Sequence, residues 1–225
     1  VRSSAASDVY KRQEQDPIRG VFAYIADGLL QPGEEAPAHQ PQLLPGQVKL
    51  KNINGDDKLN EEDMVLIGRN DPKFLFGFNN NFSYKNFDLN IYMYGQVGKI
   101  AGANSYYDAW GSYGNRIKLG QNVPVSFKDA WSSDNQTSTR PSFIESAYGT
   151  GDLFLQKISF LRIRNITLGY TVPVSKSICN RLRVYADVNN PCVWTNWKGQ
   201  DPETDSNTNA YPNVTSFSIG VDISF

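Results

Sequence analysis

Two groups of residues in this chain have the types and the spacing for chemistry. The first is an oxygen-rich run: Asn52, Asn54, Asp56, Lys58, Asn60 and Asp63. In the calcium loop of an EF-hand, side-chain oxygens and one backbone carbonyl occupy about six set positions around the ion. These six residues fall on that spacing, with Lys58 supplying the carbonyl. The departures are specific. Asn52 stands where Asp is usual, Asp57 where glycine makes the sharp turn, and Asp63 reaches less far than Glu. The run reads as a calcium loop or as a solvated Asx-rich turn. Calcium is the one cofactor suggested. The second group is aromatic. Tyr106, Tyr107, Trp110, Tyr113, Trp131, Trp194 and Trp197 lie in or beside expected loops, while Tyr92, Tyr94 and Tyr185 lie on expected strands. Such rings can stack on sugars, pack peptide side chains, fill loops or sit at a membrane interface. Tyr92, Tyr94, Trp110, Trp131, Tyr185, Trp194 and Trp197 form the candidate ligand-binding set.

Catalysis has little support. The sequence has no G-x-S-x-G elbow and no H-E-x-x-H pair. Its single histidine, His39, sits in a loop-like stretch rich in Pro, Gly, Glu and Gln without an acidic or cysteine partner nearby, so an enzyme is not expected. Net charge is −1, which leaves no basic footprint for nucleic acid. Cys179 and Cys192 are separated by an expected strand, too far apart for a disulfide if that strand is straight. Two cysteines and one histidine do not make a zinc site.

The elements that must position these residues are strands. In Val214–Phe225 the residues Phe217, Ile219, Val221, Ile223 and Phe225 alternate with Ser216, Ser218, Gly220, Asp222 and Ser224. Upstream, Leu182, Val184, Ala186 and Val188 alternate with Arg183, Tyr185, Asp187 and Asn189. A period of two gives each strand one apolar and one polar face. A hairpin is expected at Lys85-Asn86. Its first strand places Phe74, Phe76, Phe78, Phe82 and Tyr84 on one face, and its return strand Phe87, Leu89, Ile91 and Met93. The opposite face carries Asn79, Asn81, Asn90, Tyr92, Tyr94 and Gln96, which suits a wet lumen. In Leu155–Tyr170 the apolar phase slips between Ile163 and Ile166, which predicts a β-bulge near Arg164-Asn165. Val21–Ala26 is a weaker strand candidate, and Phe127–Trp131 a helical turn inside a long loop, Gly98–Gly151. Short connections alternate with long ones, as in outer-membrane barrels, and the parity brings the last strand to the periplasmic rim.

The motifs in their order resemble one family. Val48–Asp63 is similar to its D-x-N-G-D-G-x-I-x-x-x-D segment. Ile67-Gly68 through Pro72, Phe76-Gly77-Phe78, Tyr84–Leu89, Phe160–Tyr170, Leu182–Tyr185, Lys198–Glu203 and the terminal Phe225 resemble further segments. The family is SusC/RagA, TonB-dependent outer-membrane transporters. The resemblance spans Asp16–Phe225. It implies an all-β fold: an antiparallel up-and-down transmembrane barrel segment of about 6 C-terminal strands, with long extracellular loops, from a barrel of about 22 strands. It also implies integral localisation in a Gram-negative outer membrane, contact with lipid, and import of glycan fragments or peptides. The implied partners are a SusD-like surface lipoprotein and the TonB complex, the latter through an N-terminal plug region not found in this chain. Residues 1–13 differ in texture and read as a non-native or assembly-derived leader; residues 14–225 read as the C-terminal part of the barrel. The rival reading is a secreted all-β carbohydrate-binding or adhesion module with a structural calcium loop. It requires the apolar face of Phe217–Phe225 to be buried under a second sheet.

Overall fold

A computed structural model describes residues 19–102, 120, 122, 125–143, 149–175, 179–198, 201–204 and 211–225. Strands follow one another as β1 (Gly20–Ala23), β2 (Ala26–Leu29), β3 (Val48–Leu50), β4 (Val65–Arg69), β5 (Phe74–Tyr84), β6 (Phe87–Gly102), β7 (Leu155–Val172), β8 (Arg181–Thr195) and β9 (Ser216–Ser224). Among the described residues, the helical elements between them are two short 3-10 turns, Glu61–Asp63 and Val125–Asp129. The fold is all-β and antiparallel, as expected. The chain divides into two compact units. One takes the chain up to Asp71 together with Ile100–Gln156, the other Pro72–Lys99 and Lys157–Phe225.

The second unit holds a five-stranded meander in the order β5-β6-β7-β8-β9. Each neighbour in sequence is a neighbour in space, because hairpin connections keep successive strands adjacent. In the first hairpin Tyr84 pairs with Phe87, and Lys85 takes the left-handed backbone (φ 53°) that a tight turn demands. The register then fixes the faces. Phe74, Phe76, Phe78 and Phe82 lie opposite Val97, Gly95, Met93 and Leu89. The Phe74, Phe76 and Phe78 rings run as a ladder with centroids 5.8 and 5.7 Å apart. Along β8 and β9, Val184, Ala186 and Val188 face Val221, Ile219 and Phe217.

The expected bulge is present. Pairing shifts between Ile163 and Asn165, where two steps along β7 are matched by three along β8. The extra residue therefore lies on β8, at Asn190-Pro191. Asn190 adopts φ 49°, a conformation Asn tolerates, and proline is at home where the ladder is broken. Across this shift the polar side changes phase. The Phe160 ring meets Tyr94 edge-on at 5.8 Å, so Phe160 and Arg162 belong to the polar side above it, and Asn165 and Thr167 below.

The apolar side is open. Phe217, Ile219, Val221, Ile223 and Phe225 are 52–87% exposed. The rival sandwich reading needs them buried, and no second sheet among the described residues covers them.

The first unit is smaller and irregular. The weak strand candidate is split at Tyr24-Ile25: β1 pairs with β4, and β2 with β3. Its core is Leu29, Val48, Leu50 and Trp131, with Tyr24, Ala26 and Leu59 against it. Gln40 is fully buried, accepting from Leu50 N at 2.7 Å and donating to Val48 O.

Candidate functional site

The oxygen-rich loop is bonded to itself. Asn52 Oδ1 accepts from Gly55 N (2.7 Å), Asn54 Oδ1 from Asp56 N (3.0 Å), Asp56 Oδ1 from Lys58 N (2.9 Å), and Asn60 Oδ1 from Glu62 N (2.7 Å). The last three, each to the N–H two residues on, are Asx-type turns. Asp63 is fully buried. Its Oδ1 accepts from Ile53 N (2.7 Å) and Asn54 N (3.3 Å), and its Oδ2 from Asn60 N (3.0 Å). Burial pushes the Asp63 carboxyl up, but the N–H groups of Asn60, Ile53 and Asn54, with His39 nearby, more than offset this and hold it below the usual carboxylate range. The residue at the twelfth position therefore closes the loop, with both oxygens taken by backbone. A calcium cage needs that residue as a bidentate ligand. Among the described residues no group of three or more His, Cys, Asp or Glu converges on one point. In this arrangement the side-chain oxygens of Asn52, Asn54, Asp56, Asn60 and Asp63 accept from the loop's own N–H groups.

The aromatic candidates separate. Trp131 is 9% exposed and belongs to the core of the first unit, its ring against Gly46, where a Cβ would stand 2.2 Å from it. Trp197 is 6% exposed. Neither is an open stacking platform. Trp194 is exposed but lies opposite Leu161, on the apolar side. Trp110, like Tyr106, Tyr107 and Tyr113, lies outside the described residues. Tyr92, Tyr94 and Tyr185 remain on the polar side. The Tyr92 and Tyr94 rings are stacked, 6.2 Å apart at 16°. Tyr185 lies over Gly220, where a Cβ would meet its ring at 2.4 Å, and the Arg183 guanidinium lies over the Tyr185 ring, 5.1 Å from its centroid.

The polar side carries more than tyrosines. Asn90 Nδ2 donates to Asn79 (2.8 Å) and Asn81 (2.5 Å). At the short-turn end Arg183 donates through Nε (3.0 Å) and Nη2 (2.6 Å) to Asp88, two strands away, and through Nη1 (3.2 Å) to Asp222. The bidentate pair crosses β7 at Gly169, where a Cβ would lie 2.5 Å from both partners. Midway, Asp187 accepts from Asn165, Thr167 Oγ1 (2.7 Å), Asn189 Nδ2 (2.7 Å) and Ser218 Oγ (3.5 Å).

At the long-loop end Arg162 and Asp201 form an ion pair of 2.7 Å, their side chains 3% and 5% exposed. Asp201 also accepts from Glu203 N (2.9 Å) and Asn213 N (3.2 Å), which draws both ends of the β8–β9 connection together. Arg162 Nε stands 3.3 Å from Glu203 but is not aligned for a hydrogen bond. Burial pushes the Glu203 carboxyl up, partly countered by Asn213. In the sequence Arg162 and Asp201 belong to separate motifs, Phe160–Tyr170 and Lys198–Glu203. Their pairing had no local signal.

No family model matches the chain. In sequence it is 28% identical to TonB-dependent receptor P3 of Formosa agariphila, over 95% of this chain and 23% of that protein. It is 27% identical to TonB-dependent receptor SusC of Bacteroides thetaiotaomicron, over 76% of this chain and 17% of SusC. In fold it is similar to the RagAB peptide transporter, with a TM-score of 0.70 at 22% identity, covering 92% of this chain and 23% of that one. The chain thus spans about a quarter or less of the length of the proteins it matches. In sequence, then, this chain is similar to a segment of TonB-dependent receptors, SusC among them, and in fold it is similar to part of the RagAB transporter.

Proposed function

We propose that the chain forms part of the wall of a nutrient importer in a Gram-negative outer membrane. The apolar side of the five-stranded sheet meets lipid and the polar side lines a wet lumen. One observation carries this reading: the meander is two-sided, with exposed Phe, Ile and Val on one face and, on the other, hydrogen-bonded Asn, Asp, Thr and Ser side chains beside tyrosine rings. Its strands have 9–18 residues, enough for the ~9–11 that cross a bilayer. The role is passage and not catalysis. The solute is an oligosaccharide or a peptide; peptide is what the RagAB peptide transporter is named for. A SusD-like surface lipoprotein over the mouth is the partner that fits this kinship, and the TonB complex acts through a part of the receptor outside this chain. Tyr92, Tyr94 and Tyr185 are the solute-contacting rings.

The test is single-cysteine labelling of the receptor that carries this segment, in isolated outer membranes with native thiols removed. Ser218→Cys should react with a water-soluble, impermeant maleimide once the rim is open to solvent. Ile219→Cys should react only with a lipid-soluble reagent. Equal aqueous labelling of both would refute the two-sided wall.

A further inference from the structure

We infer that Asp187 is a specificity-determining residue of this face: an uncompensated carboxylate that makes the polar side favour cationic and neutral solutes over anionic ones. The inference rests on reading that side as the lumen wall. It comes from how the charges are distributed there. Arg183 is shared between Asp88 and Asp222, at 2.6 and 3.2 Å, so one guanidinium serves two carboxylates. Asp187 adds a third, and among the described residues no Lys, Arg or His forms an ion pair with it. Of the other arginines, Arg181, at the outer end of β8, acts electrostatically on Asp88, so three carboxylates face two guanidinium groups. Arg162 is held by Asp201, and Arg164 donates to Asn190 (3.0 Å) and Asn213 (3.3 Å) across the bulge. The half of the face between the bulge and the short turns therefore carries an excess of negative charge.

Asp187 is also fixed in place. Neutral donors on three strands hold it: Asn165 and Thr167 on β7, Asn189 on β8, Ser218 on β9. Amides and hydroxyls satisfy a carboxylate's lone pairs without cancelling its charge, so the field reaches the adjacent water. In a confined aqueous path walled by low-dielectric material such a charge is focused rather than spread. If the charge of Asp187 were screened from the adjacent water, exchanging it for neutral Asn would leave the potential there unchanged.

The experiment reads that potential. Ser218 lies directly opposite Asp187 in the β8–β9 register. Ser218→Cys in the whole receptor, with native thiols removed, is reacted with a cationic and with an anionic methanethiosulfonate of similar size. Their rate ratio is divided by that of a free small thiol. At 0.1 M salt we expect the normalised ratio to favour the cation about three- to tenfold, the scale of Coulomb attraction at roughly 6 Å in a water-like, screened medium. It should fall toward one at about 1 M salt, where the screening length is about 3 Å. Adding Asp187→Asn should bring the ratio within about twofold of the free thiol at low salt, by the same estimate. A ratio near one in the parent, a preference for the anion, or a bias unchanged by Asp187→Asn overturns the inference while leaving the lumen reading intact. A Ser218→Cys thiol that neither reagent reaches overturns both. Should Asp187→Asn fail to assemble, the salt dependence of the parent alone decides.

Discussion

Replacing Asp201 by Asn should loosen the β8–β9 connection without disturbing the sheet beneath it. The substitution conserves shape but leaves Arg162 buried beside a neutral amide. Breaking a buried, hydrogen-bonded ion pair costs about 3–5 kcal/mol when nothing replaces the lost partner. Here Glu203 stands 3.3 Å from Arg162 Nε and is 24% exposed, so it takes over part of the role. A net cost of about 2–3 kcal/mol follows, or roughly a 30- to 150-fold increase in the open fraction of the connection. The amides of Glu203 and Asn213 both donate to Asp201, so they report the opening directly. Hydrogen exchange of peptides covering these two amides, measured on the detergent-solubilised receptor, should accelerate by that factor, while amides of β7 below the bulge stay unchanged. Glu203→Gln is the control. Because the Glu203 carboxyl is raised, its closed form takes up a proton more readily than its open form. The connection is therefore tightest from this group below the ordinary carboxylate range, and that contribution is lost as pH rises through the raised value. The glutamine variant should remove the slope. An acceleration under threefold in Asp201→Asn would refute the claim that the pair holds the connection.

Three further outcomes are expected of other parts of the structure. Asp63 is held below the usual carboxylate range, so its contribution is complete above that range and is lost as pH falls through the lowered value; Asp63→Asn should cost about 1–3 kcal/mol for misfitted backbone donors, read as faster exchange at Ile53 and Asn60, and chelating calcium should leave that exchange unchanged. Gly169→Ala puts a Cβ 2.5 Å from Asp88 and Arg183, both movable at their tips, so the strands should stay paired while the bidentate bridge is displaced; the cost is about 1 kcal/mol, that of a partly exposed pair, measured by urea unfolding against Asp88→Asn, and the double variant should be no worse than either. Trp131→Ala empties the core of the first unit at about 3–5 kcal/mol, the usual cost of deleting a buried large aromatic, seen as protease cleavage between Leu29 and Leu50, whereas a stacking-platform role would leave cleavage unchanged.

The strands of the large sheet were legible because alternation is a local signal. Phe74, Phe76 and Phe78 on one phase, and Ile219, Val221 and Ile223 on another, declare a face without reference to any partner. The slip in phase before Ile166 even located the bulge, though not the strand carrying the extra residue. Asn190-Pro191 was the available clue: a proline inside a strand marks a broken ladder. The first unit was not legible in the same way. Its strands β1 to β4 are three to five residues long, too short to show a period, and Trp131 joins their core across about a hundred residues of chain.

The polar side resisted reading for a different reason. Alternation says which residues share a face, but not which charges meet on it. Asp88 and Arg183 are 95 residues apart and have a whole strand between them, so no spacing rule links them. What links them is the absence of a side chain at Gly169. The same holds at Gly220 beneath Tyr185 and at Gly95, where a Cβ would lie 2.6 Å from the Phe76 ring. In each case a strand glycine, which weakens a sheet by itself, clears the floor for a neighbour's large or charged group to lie across it. Strand glycines in such walls therefore mark where side chains from flanking strands cross. At Gly169 that crossing leaves one arginine divided between two acids, and with Asp187 unpaired beyond it, this sets the sign of the charge that the face presents to water.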